Sequence, residues 1–353
     1  MNLKKLLALL MAVVMVALVM AGCGAAPTEE PAAAPAEAPA EAPAEVVEPL
    51  VFTLGNGDSE SHPTGMASYY LADKLAELSD GAMTVDCYVG GVLGGDDAVT
   101  EAVMSGDLDM CICGGGNVAA YVDAMNVFSI PFLFDDFDAY KAMLTSEEVY
   151  NFFDAEFQKS GFKLLALWND GVRHCYLVDG FLNSAEDFVG LKLRTETSST
   201  IVAAFEAMGA NPVPISYTEV YTALQQGVAD GAENNMNALK DSKHYEVAPY
   251  ITATGHRRGP KPIYMNLDKW NSLTTEQQDT LMAAIKDTSE YEIETFNTME
   301  GESLKAILAD GAFYQEFPAE ETAKLRESIA GVTEQVAEQL GQEVIDLVTS
   351  FNG

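Results

Sequence analysis

The sequence predicts an α/β protein built as two lobes around a central cleft, with a long helix spanning both. Three observations carry this expectation. The chain has 353 residues, more than a single hydrophobic core usually absorbs, so two lobes or domains are expected. Short strand patterns alternate with helix patterns across Gly-rich turns, as in parallel sheets covered by helices. From about 275 to 308 the pattern stays helical with only Gly301 interrupting it, a length suited to lying across two lobes. Apolar residues at 48% exclude a disordered chain.

The elements follow in order. Val51–Gly55 reads as a short strand, and 64–79 carries apolar residues at helical spacing before closing at Ser79-Asp80-Gly81. Met83–Val89 is a strand, 95–105 a helix and Leu108–Cys113 a third strand. The alternation resumes after residue 160, with strands near 162–167, 173–178 and 191–194, helices over 198–208 and 216–226, and strands near 229–233 and 262–267. A last helix is expected over 319–350, and no internal repeat is evident. In the expected layout, residues 50–170 with about 259–300 form lobe I, and 171–258 with about 301–353 form lobe II.

The front of the chain reads as an address. Lys4 and Lys5 precede an unbroken apolar run from Leu6 to Ala21, the layout of an export signal. The run ends in Met20-Ala-Gly-Cys23, which resembles a bacterial lipoprotein signal: residues 1–22 would be removed and Cys23 lipidated. The run is short for a comfortable membrane span, which disfavours an uncleaved anchor. Residues 23–49 are dominated by Ala, Pro and Glu, have no face to bury, and read as a tether. Beyond residue 50 no apolar run is long enough to span a bilayer. The expected location is extracytoplasmic, with the body held at the membrane through the Cys23 lipid.

Charge and motifs exclude several classes. There are 54 Asp+Glu against 19 Lys+Arg, a net charge of −35. No basic face for nucleic acid can be assembled from so few cations, and anionic lipid headgroups would be repelled. Cys87, Cys111, Cys113 and Cys175 sit in apolar strand-like segments and read as small buried residues rather than disulfides. Neither Cys-x-Cys nor the four histidines have zinc spacing, so no metal or cofactor is expected. The glycine clusters at 89–95 and 113–116 lack the Gly-Lys-Ser/Thr of a phosphate loop and read as turns or close backbone approach to a ligand. No nucleophile-elbow, metalloprotease or Ca²⁺-loop pattern occurs. His174 and Cys175 are strand neighbours facing opposite ways, so they make no dyad, and an enzyme is not expected.

Arginine marks the candidate site. Only five occur, and Arg194 closes the apolar strand pattern Leu191-Lys-Leu-Arg194. A guanidinium at a strand end can hold a carboxylate with two parallel hydrogen bonds, and an anionic ligand approaching so acidic a body needs a local positive pocket. Arg173 reads equally as a ligand contact or as half of an internal salt bridge. Asn234 and Asn235, at a strand-to-helix junction, offer amides to a ligand or cap the helix.

Several motifs, in order, resemble the solute-binding proteins of TRAP (tripartite ATP-independent periplasmic) transporters. They are Tyr88-Val-Gly-Gly-Val-Leu-Gly-Gly95, Ser105-Gly-Asp-Leu-Asp-Met110, Ile130-Pro-Phe-Leu-Phe134, Gly171-Val-Arg-His174, Leu191-Lys-Leu-Arg194, Met208-Gly-Ala-Asn-Pro212 and Glu219 through Asn234. The resemblance implies a two-lobed periplasmic-binding-protein-like fold that closes on an organic acid by hinge motion. It also implies delivery to the small and large membrane subunits of a permease driven by an ion gradient. Arg194 would pair with the ligand carboxylate, Arg173 would be the second family arginine, and Asn234 the family asparagine. Many members read Glu-Asn-Pro where this chain has Glu233-Asn-Asn235. The Asn-Asn form, with Met125-Asn-Val-Phe128 and Ser61-His-Pro63, looks like members that take uronates. Glu196 would repel a second carboxylate if it faced the pocket, which favours a sugar monoacid over a dicarboxylate. His62 and Asn117 are expected in loops facing the cleft, and a monomer is expected.

Overall fold

A computed structural model describes residues 49–353; the expected signal peptide, Cys23 and nearly all of the tether lie outside them. No helix of the described residues is long and apolar enough to cross a membrane.

The first half alternates β1 (Leu50–Asn56), α1 (Pro63–Leu78), β2 (Met83–Tyr88), α2 (Asp96–Ser105), β3 (Met110–Ile112) and the short α3 (Gly115–Val118). A 3₁₀ segment at Asp123–Ser129, α4 (Phe137–Leu144) and α5 (Glu147–Lys159) then lead to β4 (Phe162–Trp168). The chain crosses into β5 (Arg173–Leu177), β6 (Lys192–Thr195), α6 (Ser199–Ala207), β7 (Asn211–Pro214), α7 (Val220–Gln225), β8 (Gly231–Asn234), α8 (Met236–Asp241) and β9 (Tyr250–Arg257). It returns through β10 (Lys261–Asn266) and α9 (Leu267–Ser272), then runs along α10 (Thr275–Ala309) to β11 (Phe313–Glu316) and α11 (Ala319–Ser328), α12 (Ala330–Leu340) and α13 (Gln342–Thr349).

Two sheets result, ordered β2-β1-β3-β10-β4 and β11-β9-β5-β8-β6-β7. They are mixed, which corrects the parallel sheets expected from the alternation. β1 runs parallel to β2 and β3, but β10 is antiparallel to both β3 and β4. Likewise β6 is parallel to β7 and β8, while β5 is antiparallel to β8 and β9. The cause is the pair of crossings. A strand arriving directly from the other lobe has no crossover helix to turn it round, so it enters against its neighbours.

Gly301 does not interrupt α10, a 35-residue helix with a Thr274–Gln277 capping box at its start. Its buried stripe includes Leu281, Ala284, Ile285, Thr288, Glu292 and Phe296, one face at helical spacing. The helix packs on α1 and β4 at one end and on α8 at the other. The single helix expected over 319–350 is three. The chain breaks at Ile329 and again at Gly341, whose φ of 92° no ordinary residue adopts readily. α12 lies on α6 and the 3₁₀ segment, and α13 on α4 and the same segment.

Phe52, Leu54, Leu71, Trp168 and Ile263 form one core around the first sheet, and Tyr176, Val220, Leu224 and Ile251 form another on the second. A third, larger core joins Phe128 and Phe153 to Phe205, Val332 and Val348. Cys87, Cys111, Cys113 and Cys175 are free thiols.

Gly231 shows how tightly the second sheet is built. It pairs with Leu177 on one side and Leu193 on the other. A Cβ there would lie 2.3 Å from Leu177 Cδ2 and 2.6 Å from the Tyr176 carbonyl oxygen. Gly231→Ala is therefore expected to lower the unfolding free energy by about 1–3 kcal/mol, read from denaturant unfolding. Unchanged stability would contradict this packing.

Candidate functional site

The carboxyl ends of β1, β3, β6 and β8 converge on one pocket between the two sheets, the place where open α/β sheets bind ligands. Its free volume is only about 30 Å³, comparable to the space one water occupies, so the lobes stand closed on their own side chains.

Arg194, near the end of β6, is 1% exposed and lines the pocket. Its Nε and Nη2 donate to the Ile215 carbonyl at 2.8 and 2.6 Å, and burial lowers its pKa. Among the described residues it has no carboxylate within ion-pair distance, unlike the other cations here. Arg173 at the start of β5 has its fork filled: Nε and Nη2 donate to the two Glu233 carboxylate oxygens at 2.5 and 2.8 Å, and Nη1 lies 3.3 Å from Asp170. The internal salt bridge is thus what Arg173 makes in this closed form. Burial would raise the Glu233 carboxyl, but Arg173 and His256 hold it far below the usual range.

Lys261, at the start of β10, is a cation that the sequence reading did not single out. Its Nζ lies 2.6 Å from Asp58 and 3.5 Å from Asp170. Burial alone would lower its pKa, yet those two carboxylates hold it well above the usual value. Arg257 pairs with Glu196, which does face the pocket. Asp96 at the first turn of α2 accepts from the Gly114 N–H and Asn117 Nδ2 at 2.8 and 2.7 Å but, among the described residues, has no cation in ion-pair range. Burial accordingly raises its pKa, only partly offset by Lys261. The lining therefore holds Arg173, Arg194 and Lys261 against Asp58, Asp96, Asp170 and Glu196, and the locally positive pocket expected from the net charge is not found. Buried cations keep carboxylates beside them because desolvation is otherwise too costly.

The asparagines divide. Asn234 lines the pocket, and Asn117 lines it from the other lobe. Asn235 is the N-cap of α8: its Oδ1 accepts from Ala238 N–H, and its Nδ2 donates to the Asp170 carbonyl. His62 also caps, accepting from Thr64 N–H at 3.2 Å at the start of α1, and it stands outside the pocket lining. For Asn235 the cap is one of the two readings open from the sequence; in both cases a side-chain acceptor just before a helix satisfies an otherwise unpaired N–H. Lys261 and Arg257 flank the returning crossing, and in a chain with 19 cations their clustering was the signal available.

Glu300 on α10 braces the first crossing, accepting from Val172 N–H at 3.4 Å. Burial pushes its carboxyl from an ordinary 4.5 to about 7, despite the Val172 N–H and Arg258. The folded protein keeps this proton to about pH 7 while the unfolded chain releases it near 4.5. The unfolded state therefore binds fewer protons in that window, and stability falls as pH rises through it. Glu300→Gln should stabilise by on the order of 2 kcal/mol at pH 7.5, allowing for partial exposure, and by little at pH 4.5. Melting curves at both pH values check this; a pH-independent difference would contradict it.

A family model described as bacterial extracellular solute-binding protein, family 7, matches residues 54–340. The sialic acid-binding periplasmic protein of Vibrio cholerae is 30% identical over 241 residues, covering 68% of this chain and 75% of its own. The sugar acid binding protein of Advenella mimigardefordensis, solved with galactonate, aligns with a TM-score of 0.82 at 27% identity, over 86% of this chain and 98% of that one. A TRAP solute-binding protein of Roseobacter denitrificans with bound β-D-glucuronate aligns at 0.81 and 27%, over 85% and 99%. With a family model spanning most of the chain and whole-length structural likeness of this kind, the chain belongs to the family 7 (DctP) bacterial extracellular solute-binding proteins, which serve TRAP transporters.

Proposed function

We propose that this protein captures a sugar acid, of the uronate or aldonate class, by closing its two lobes on it, and hands it to the small and large membrane subunits of a TRAP permease for ion-gradient-driven uptake. One observation carries the reading: among the described residues, Arg194 is the pocket cation with no carboxylate partner. Its guanidinium is built to receive a carboxylate in two-pronged geometry, and displacing one carbonyl contact is cheaper than breaking an ion pair. Arg173 is a second charge-assisted contact through Nη1, the end of its fork that Glu233 does not hold, and Asn234 and Asn117 read ligand oxygens from opposite sides.

The choice of sugar acid over C4-dicarboxylate rests on the four acids of the lining. Hydroxyls donate to carboxylates, whereas a second ligand carboxylate would meet Glu196, Asp96, Asp58 and Asp170. Relatives support the class, since the neighbours named above were solved with galactonate and glucuronate. A 2-oxo acid, an amino acid or a sensing role on the same scaffold is the alternative.

A thermal-shift panel of hexuronates, aldonates, C4-dicarboxylates, 2-oxo acids, sialic acid, amino acids and neutral sugars tests the reading. A ligand at 100 times Kd adds roughly 2.7 kcal/mol, a shift of several degrees. Response to hexuronates or aldonates is expected; silence from every acid would sink the proposal. Arg194→Ala should cost about 2–5 kcal/mol in binding with the fold intact, and Arg194→Lys should also weaken binding. Unchanged affinity in either would remove Arg194 as the anchor.

The lipid anchor is proposed on Cys23. Cys23→Ala should move the protein from the membrane fraction to the soluble extracytoplasmic fraction; retention in the membrane would argue for an uncleaved anchor.

A further inference from the structure

The glycine-rich turn at 89–95 meets the opposite lobe. A Cβ on Gly95 would lie 2.8 Å from Ser216 Oγ, and one on Gly91 would lie 3.3 Å from Thr218 Cγ2. Beside this contact, Asn117 Oδ1 accepts from the Thr197 N–H and hydroxyl at 3.4 and 3.0 Å. A second polar junction joins the lobes through the loop after β1. Asp241, the last residue of α8, receives the Ser61 hydroxyl at 3.0 Å, the Ser59 N–H at 3.4 Å, and the Ser59 hydroxyl as well. Three donors from one lobe thus converge on one carboxylate of the other, and Asp241 has no cation in ion-pair range among the described residues. Neither Asp241, Ser59 nor Ser61 lines the central pocket; Asp241 and Ser61 border a separate pocket beside Lys240 and Lys243.

We propose that Asp241, held by Ser59 and Ser61, is a closure latch that sets ligand affinity without touching the ligand. Hydrogen bonds to an ionised carboxylate are roughly twice as strong as neutral ones. Bonds that exist only when the lobes meet change the fraction of molecules in the binding-competent form. The apparent Kd is the intrinsic Kd divided by that fraction, so loss of the latch weakens every ligand by one common factor. Asp241 is in this sense a positioning residue. The Gly91 and Gly95 backbone leaves room for this approach: a Cβ on either would press on the Thr218 methyl or the Ser216 hydroxyl of the other lobe.

The latch rests on the proposed capture of a sugar acid by closure, and the experiment separates the two. Isothermal titration and stopped-flow dissociation would use the full-length protein with D-galacturonate, D-glucuronate and D-galactonate. Wild type is compared with Asp241→Asn, with Ser59→Ala/Ser61→Ala, and with all three changes combined. Each variant should weaken every acid that binds by the same factor, about 10-fold, chiefly through faster dissociation. The triple variant should be no worse than Asp241→Asn, since both sides remove one interaction. Ligand-free melting temperatures report folding, and the serine pair tests the latch from the other lobe should Asp241→Asn fail to fold. Unchanged affinities, additive losses or an altered preference among the acids would overturn the latch alone. No binding by wild type would overturn the acid-capture reading, and the latch with it.

Discussion

Taking a charge out of water governs how this pocket is built. Arg173, Arg194, Arg257 and Lys261 are each no more than 9% exposed around one small space. Unpaired, each would carry a desolvation penalty of several kcal/mol. Three of them meet a carboxylate: Arg173 on Glu233, Arg257 on Glu196, Lys261 on Asp58. Among the described residues, Arg194 hydrogen-bonds only the Ile215 carbonyl. Each of the three pairs lies within one lobe and fixes that lobe's inner surface, Arg173–Glu233 and Arg257–Glu196 on the second sheet and Lys261–Asp58 on the first, while Arg194 retains a charge that a ligand carboxylate can match.

Closure is the second consequence. With about 30 Å³ left between the sheets, a hexose-sized molecule enters only if the lobes part. Hydrogen bonds tie α10 to both lobes. Trp168 Nε1 donates to Ser289 Oγ at 2.9 Å, Asn169 N–H to Glu292 at 3.0 Å, and Val172 N–H to Glu300. Farther along, Asn237 donates to the Phe296 carbonyl and accepts from Ser303. The helix is thus bound to the first crossing and to α8 of the second lobe. The short links 169–172 and 258–260 join the two sheets, and α10 runs beside both lobes.

Much of the site was legible one residue at a time. Arg194 and Arg173 stood out because arginine is scarce and both end or begin apolar strands. Asn117, in the short α3, and Asn234, the last residue of β8, lie at the pocket ends of the sheets. Asn235 and His62 were ambiguous because capping a helix and contacting a ligand call for the same kind of side-chain acceptor; in the fold both cap a helix. Lys261, Asp58 and Asp170 carried no local pattern. Lys261 and Asp58 are 203 residues apart and meet only because two crossings bring β10 beside β3.

The sequence by itself determined the α/β class, the two lobes and the long helix, because hydrophobic periodicity and turn residues act over a few neighbours. It also placed the rare guanidiniums at strand ends. Tertiary structure alone decided the direction of β5 and β10, the three-way break of the last helix, and which carboxylate faces which cation. Those outcomes depend on pairs of groups separated by tens to hundreds of residues, and the cost of burying one without the other is paid only when the chain has brought them together.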